Sequence, residues 1–361
     1  MEKTKIKRQY YMDNVRTLII LSLFLVHACE IYHIGDGFYI EGTKRLLPTM
    51  TYTFFETFIM SVLFFFAGES TVYSLKARGV KAFYGNRCKK LLLPLLLGSY
   101  TFLPLQAWFV LKNHGDFDGS FLDAARYFCT HYNDFIGYDG AFGVAHLWFL
   151  LYLFVITILS FPVIACYDRF KEHFERLSFK SWWILALIAA VFILNYGPSD
   201  EQIGRFLLYY LLGIMLAENQ SFSRYLEQKG KILFAIGLVF NVAALFLILR
   251  IKEGNIFTFS YFWRRLVWTT ASVLMTLATM AMGKIYLKDS NSVSRHFSEI
   301  SFLLYYFHLP ILCVIGYFVL KMPLHYALQI LLMVFLSFTS TLLLSETVHF
   351  LIMRWKRWRS R

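Results

Sequence analysis

The sequence predicts an all-α polytopic integral membrane protein with about ten transmembrane helices and both termini in the cytoplasm. Three observations carry that expectation. First, 58% of the 361 residues are hydrophobic and only 16% are charged, against roughly 45–50% and 25% in soluble domains. With a mean hydropathy of +0.52, the chain cannot cover its own surface with polar groups, which excludes a soluble enzyme and a disordered protein. Second, the five cysteines, Cys29, Cys88, Cys129, Cys166 and Cys313, are odd in number and form no C-x-x-C pair, so a disulfide scaffold is not expected. Third, the net charge of +13 comes from basic residues lying between apolar runs, where topology signals sit. They form no patch on a soluble domain, and no nucleic-acid partner is expected.

A membrane helix needs about 20 mostly apolar residues. The first candidate is 16–35. His27, Glu30 and His33 interrupt it and no A-x-A site follows, so it reads as a retained helix and not a cleaved signal. The second is 49–74, with Glu69 near one end, and the third is 91–111. The fourth, 146–166, begins His146-Leu147-Trp148, where Trp148 fits an aromatic belt. The fifth and sixth, 182–197 and 203–218, are short and separated by the turn Gly197-Pro198-Ser199-Asp200-Glu201-Gln202. The seventh and eighth are 232–250 and 265–287. The ninth, 300–320, contains His308 and Pro310, a proline that membrane helices tolerate. The tenth is 326–353, and the tail Arg354 to Arg361 should rest on the inner surface through its basic and tryptophan residues.

Basic residues set the orientation. Five lie in the N-terminal segment up to Arg16, six in 76–90, four in 167–181 and five after Met353. These segments fall on one side of a ten-span layout, which should be the cytoplasm. The longest opposite loop, about 112–145, holds Asp116, Asp118, Asp123, Asp134 and Asp139, and has room for a lid or an acceptor-binding element. Residues 1–361 are expected to form a single membrane domain, with no internal repeat and no appended soluble domain.

Ionisable groups inside a membrane are costly, so each is a functional candidate. Arg16 and His27 are 11 positions apart. That is about three helical turns, so both share one face with roughly 16 Å between them along the axis. Glu30, at i+3 from His27, can reach the imidazole, orient it and raise its basicity. Arg87 and Lys90 are i, i+3 on a segment entering the membrane from inside. They suit a phosphate or diphosphate, although the same charges also serve as a topology signal. His146, Trp148, Arg205 and His308 are candidate substrate-binding residues. No phosphate loop and no H-E-x-x-H zinc site occurs, and Gly68-Glu69-Ser70-Thr71-Val72 lacks the last glycine of a nucleophile elbow. A histidine base that activates an acceptor hydroxyl fits better than a protein nucleophile. The alternative is a secondary transporter using the buried His, Glu and Arg for coupling, but that class often shows paired inverted repeats, and none is visible.

The stretch Tyr11-Met12-Asp13-Asn14-Val15-Arg16 followed by His27 resembles the opening of the membrane acyltransferase-3 family, whose hallmark is Arg-x10-His. Phe64 to Gly68 resembles its second-helix pattern, and residues 87–94 resemble its basic motif before the third helix. His146 to Leu150 and Tyr305 to Pro310 resemble two further patterns. Within the family the chain is similar to the glucan-modifying branch. The resemblance implies ten helices with both ends inside. It also implies transfer of an acetyl or succinyl group from cytoplasmic acyl-CoA to a sugar hydroxyl outside a bacterial plasma membrane. In that picture His27 is the base, Arg16 contacts CoA or the fold, and Arg87 and Lys90 occupy the family's Arg-x-x-Arg positions. Lys90 keeps the charge there but loses the bidentate fork. The implied partners are acyl-CoA as donor substrate, a glycan or glucan acceptor and the bilayer, with no permanently bound cofactor and no metal.

Overall fold

A computed structural model describes residues 9–35, 37–115, 117–196, 203–251 and 256–359. The basic residues up to Arg8, Asp116, the turn at 197–202 and the last two residues, Ser360 and Arg361, lie outside the described residues.

The described residues form helices and no strand. In order these are α1 (Tyr10–Glu30), α2 (Leu46–Glu56), α3 (Ile59–Arg78), α4 (Val80–Arg87), a π-helical turn at Cys88–Leu92, α5 (Leu93–Thr101), α6 (Leu103–His114) and α7 (Phe121–Thr130). A 3-10 turn at Ala145–Leu147 leads into α8 (Trp148–Leu159), α9 (Phe161–Ala165), α10 (Tyr167–Arg176), α11 (Trp182–Leu194) and α12 (Ile203–Leu216). The long helices α13 (Gln220–Arg250), α14 (Phe259–Tyr286), α15 (Ser292–Val319) and α16 (Tyr326–Arg359) follow.

Six helical segments are long and apolar enough to cross a membrane: α1, α2 continued into α3, α13, α14, α15 and α16. A seventh results if Val80–Thr101 and Leu103–His114, bent by 45°, cross together. The predicted spans at 146–166, 182–197 and 203–218 appear as apolar helices of only 10–17 residues. Length explains the difference. The 13 residues of α11 rise about 20 Å, short of the roughly 30 Å hydrocarbon core. Conversely, α13 begins twelve residues before its predicted start, because the Asn219 side chain caps it by accepting the Phe222 N–H at 2.7 Å.

The surface is apolar where the long helices face outward. Val239, Leu331 and Phe335 are 68%, 64% and 66% exposed. Water would not tolerate so many exposed apolar side chains, whereas lipid does. The protein is a multi-pass membrane protein.

The chain divides into two compact units. The first comprises Met1–Val15, Thr53–Lys90 and Tyr152–Ser290. Within it α13 lies along α14, and α3 lies along α12. Glycine makes the second pairing possible. A Cβ at Gly68 would stand 2.0 Å from the Tyr210 carbonyl oxygen, and one at Gly213 would stand 2.1 Å from that of Phe65. Two backbones therefore touch where small residues permit it, and Phe64 stacks on Phe206 at 4.6 Å beside them. The start of α1 is tied into the same unit by Asn14, whose Nδ2 donates to the carbonyls of Leu287 and Asp289, both at 2.8 Å.

The second unit comprises Arg16–Tyr52, Leu91–Leu151 and Asn291–Arg361. Here α15 packs on α16 and on α6, and α6 packs on α7. Helix α7 starts at a capping box in which Ser120 and Asp123 exchange hydrogen bonds. The Ser120 hydroxyl and then its backbone N–H hold the Asp123 carboxyl below the usual carboxylate range. Burial pushes Asp139 up, but hydrogen bonds from Asn133 and from the Ala141 N–H outweigh it, so that carboxyl is also held low. Asp123, Asp134 and Asp139 thus shape a helix start and turns. Asp134 Oδ1 accepts the N–H groups of Ile136 and Gly137, and Gly137 and Gly140 supply the positive φ these turns need.

Candidate active site

The second unit brings four of the candidate residues together. His27 and Glu30 lie one turn apart near the end of α1. His27 Nδ1 and Glu30 Oε2 are 2.6 Å apart. With the carboxylate ionised, the ring nitrogen donates and Nε2 is left with its lone pair. Phe38 stacks nearly parallel to the His27 ring at 6.0 Å. Glu30 is buried, and the Tyr52 side chain also hydrogen-bonds to it. The His27 side chain keeps 18% of its surface exposed.

The His308 ring centroid lies 5.3 Å from that of His27, and His146 lies 5.2 Å from His308. Both added histidines are held by backbone carbonyls of α15. His308 Nδ1 donates to Tyr305 O at 2.5 Å, and His146 Nε2 donates to Tyr306 O at 3.0 Å. The second bond has a local cause. In a helix the carbonyl of Tyr306 would accept the N–H of residue 310, and Pro310 has none. The proline frees an acceptor inside α15, and His146 fills it. Tyr305 closes the loop by donating its hydroxyl to His146 O at 2.6 Å.

These bonds fix both tautomers. His308 Nε2 and His146 Nδ1 are then bare acceptors, buried and without a hydrogen-bond partner among the described residues. Ala145, just before His146, has φ of 45°, a left-handed conformation that L side chains rarely adopt. Strain is therefore stored where the chain turns His146 inward.

The other candidates sit elsewhere. Arg16 lies on the same unbroken helix as His27, 11 residues earlier. Trp148, half-buried, opens α8. Arg87, Lys90 and Arg205 belong to the first unit. Arg87 Nη2 donates to Thr71 Oγ1 at 3.1 Å, and its guanidinium lies 5.1 Å over the Phe83 ring. Lys90 is exposed within the π-helical turn. Pro94 follows that turn; it has no N–H for the Lys90 carbonyl, and its ring would press on it, so the widened turn relieves the clash. The 87/90 pair is therefore not in plain α-helical register. Arg205 is buried over the rings of Phe206 at 4.5 Å and Trp268 at 4.9 Å. Glu69 is buried as well and accepts the Tyr11 hydroxyl on both oxygens at 3.1 Å. Among the described residues, no group of three or more His, Cys, Asp or Glu could hold a metal ion.

The sequence model of one family, described as an acyltransferase domain, matches residues 9–346. The chain belongs to the acyltransferase-3 family. This acyltransferase-3 protein is accordingly an acyltransferase, and at the level of its family a membrane O-acyltransferase. No curated protein and no solved structure matches it.

Phe38 and the Tyr306–Pro310 pair were not among the candidates read from sequence. Phe38 carries no signal, because it reaches His27 across a loop. The proline four residues after Tyr306 was visible, and an orphaned carbonyl at that spacing is a place to look for a side-chain donor.

Proposed function

We propose that the protein moves an acyl group, acetyl or succinyl, from cytoplasmic acyl-CoA to a hydroxyl of an extracytoplasmic carbohydrate, with His27 as general base. The observation that carries this reading is the 2.6 Å bond between His27 Nδ1 and Glu30 Oε2. It leaves Nε2 unprotonated, aligns the ring and stabilises the imidazolium that forms when Nε2 takes a proton. The acceptor oxygen bonds to the thioester carbonyl carbon as its proton passes to Nε2. The C–S bond then breaks, and the CoA thiolate leaves with that proton.

His146 and His308 offer lone pairs only, so they suit hydroxyl or amide donors on the substrates and do not suit the developing oxyanion. Arg16, about 16 Å along α1 from His27, fits a contact to the charged end of CoA, with the pantetheine arm reaching inward. Arg87 still has N–H groups beyond Nη2, and exposed Lys90 adds charge; both suit CoA phosphates at a cytoplasmic surface. Trp148 and Arg205 serve as substrate-binding residues in this reading. Ten crossings with both termini inside a bacterial plasma membrane, in one catalytic domain, complete the reading.

The test is mass spectrometry of ester-linked acyl groups on envelope glycans from a parent strain and a deletion strain. An increment confined to the parent supports the reading and identifies acyl group and glycan together. Identical spectra would contradict it.

A further inference from the structure

The second unit also contains an open cavity of about 630 Å³, within the size range of small-ligand sites. Three separated parts of the chain build it: Tyr32 with 41–45, Lys112 with Asn113, and residues between Tyr317 and Gln329. Arg45, Lys112 and Lys321 are its cations. Each lies over an aromatic ring: Arg45 is 5.3 Å from the Tyr326 centroid, Lys112 Nζ 4.3 Å from that of Trp108, and Lys321 Nζ 3.9 Å from that of Tyr317. Among the described residues none of the three forms an ion pair with a carboxylate. The one carboxylate in the lining, Glu41, faces Lys44 at 3.5 Å and accepts the Phe38 N–H at 3.3 Å. Its charge is therefore met by a residue outside the lining.

The wall is also held in place. Tyr32 OH donates to Gln329 Oε1 at 2.7 Å, and Gln329 Nε2 donates to the carbonyls of Val319 and Met322 at 3.2 and 3.0 Å. Tyr32 is joined to the end of α1 by its own N–H, which donates to Cys29 O at 3.0 Å. It stands two residues after Glu30, so at most ~7 Å of chain separates them. The cavity thus adjoins the end of α1 that carries His27 and Glu30. Arg16 is toward the opposite end of this 21-residue helix.

We infer that this cavity binds an acidic group, a carboxylate or phosphate, on the carbohydrate acceptor, so that the acyl acceptor is an anionic glycan. The inference rests on the acyl-transfer reading above. Three cations without carboxylate partners among the described residues call for an anion. Tyrosine rings with polar edges suit a sugar better than a lipid tail. The donor's phosphates are assigned to the other end of α1, which leaves the acceptor as the source of charge.

The experiment measures binding to the full chain in discs of zwitterionic lipid. The probes are a short galacturonic acid oligomer, a phosphorylated glucose oligomer and the methyl ester of the first. The acids should bind at least about tenfold more tightly than the ester, and less so as salt rises. Arg45→Gln, Lys112→Gln and Lys321→Gln should each weaken the acids about two- to fivefold, leave the ester unchanged and leave the melting temperature unchanged, while Lys321→Arg should retain the preference. Equal binding of acid and ester would overturn the inference, as would single variants that bind the acids like the parent. If discs containing phosphatidylglycerol displace the acidic probes, the cavity is a lipid-headgroup site and the inference also falls. Binding is read without turnover, so glycan acylation that persists alongside absent acid preference overturns this inference alone.

Discussion

Glu69 and Glu30 are both buried glutamates, at 4% and 9% exposure, one in each unit. Around Glu69 the protein supplies the partners itself. Tyr11 donates to both oxygens, and Lys284 sits 4.3 Å over the Tyr11 ring and donates to Ser223 Oγ. Around Glu30 the carboxylate orients a histidine, and beyond that histidine lie His308 Nε2 and His146 Nδ1, buried with no partner among the described residues. Both clusters meet the cost of burying an ionisable group. Only the second leaves lone pairs unspent. Unpartnered acceptors beside an oriented histidine, more than burial itself, separate a site from a structural tie.

That contrast can be broken by substitution. His27→Ala should have the largest effect, a loss of acyl transfer by about 10²–10⁴-fold with yield and membrane insertion unchanged, as read from esterified glycan per unit of protein. Glu30→Gln should come close behind, at up to about 10⁴-fold. The amide nitrogen can donate to Nδ1 and so hold the wrong tautomer, and the loss should lie in kcat more than in KM. Tyr11→Phe should do the reverse. It removes the donor to a buried carboxylate and should cost about 1–3 kcal/mol of stability, seen as a lower thermal midpoint, while the folded fraction keeps its kcat. Pro310→Ala should be mildest on catalysis. The new N–H competes for the Tyr306 carbonyl, His146 loses its fixed tautomer, and activity should fall only severalfold with stability unchanged or raised. A Pro310→Ala enzyme with full activity and a reoriented His146 would remove His146 from the account.

Much of this was legible in the chain. Every apolar stretch picked out by composition contains a helix, since burying or lipid-exposing such runs leaves the backbone no other way to satisfy its hydrogen bonds. The His27–Glu30 pair was legible for a local reason: i, i+3 residues meet on any helix. The three short helices Ala145–Leu159, Trp182–Leu194 and Ile203–Leu216 lie within stretches read as full spans, and composition alone did not show how short their helical parts are. What stayed hidden is non-local. His146 reaches Tyr306 across 160 positions, and the cation-lined cavity collects residues from 32 to 329. The register between Arg87 and Lys90 was hidden for a different reason, since the π-turn ahead of Pro94 departs from the spacing that simple helix counting assumes.

The most direct test uses the deletion strain carrying His27→Ala or Tyr11→Phe at matched membrane expression, with ester-linked acyl groups on envelope glycans measured by mass spectrometry. The increment should be absent with His27→Ala and present with Tyr11→Phe. Its return with His27→Ala would contradict the assignment of the base.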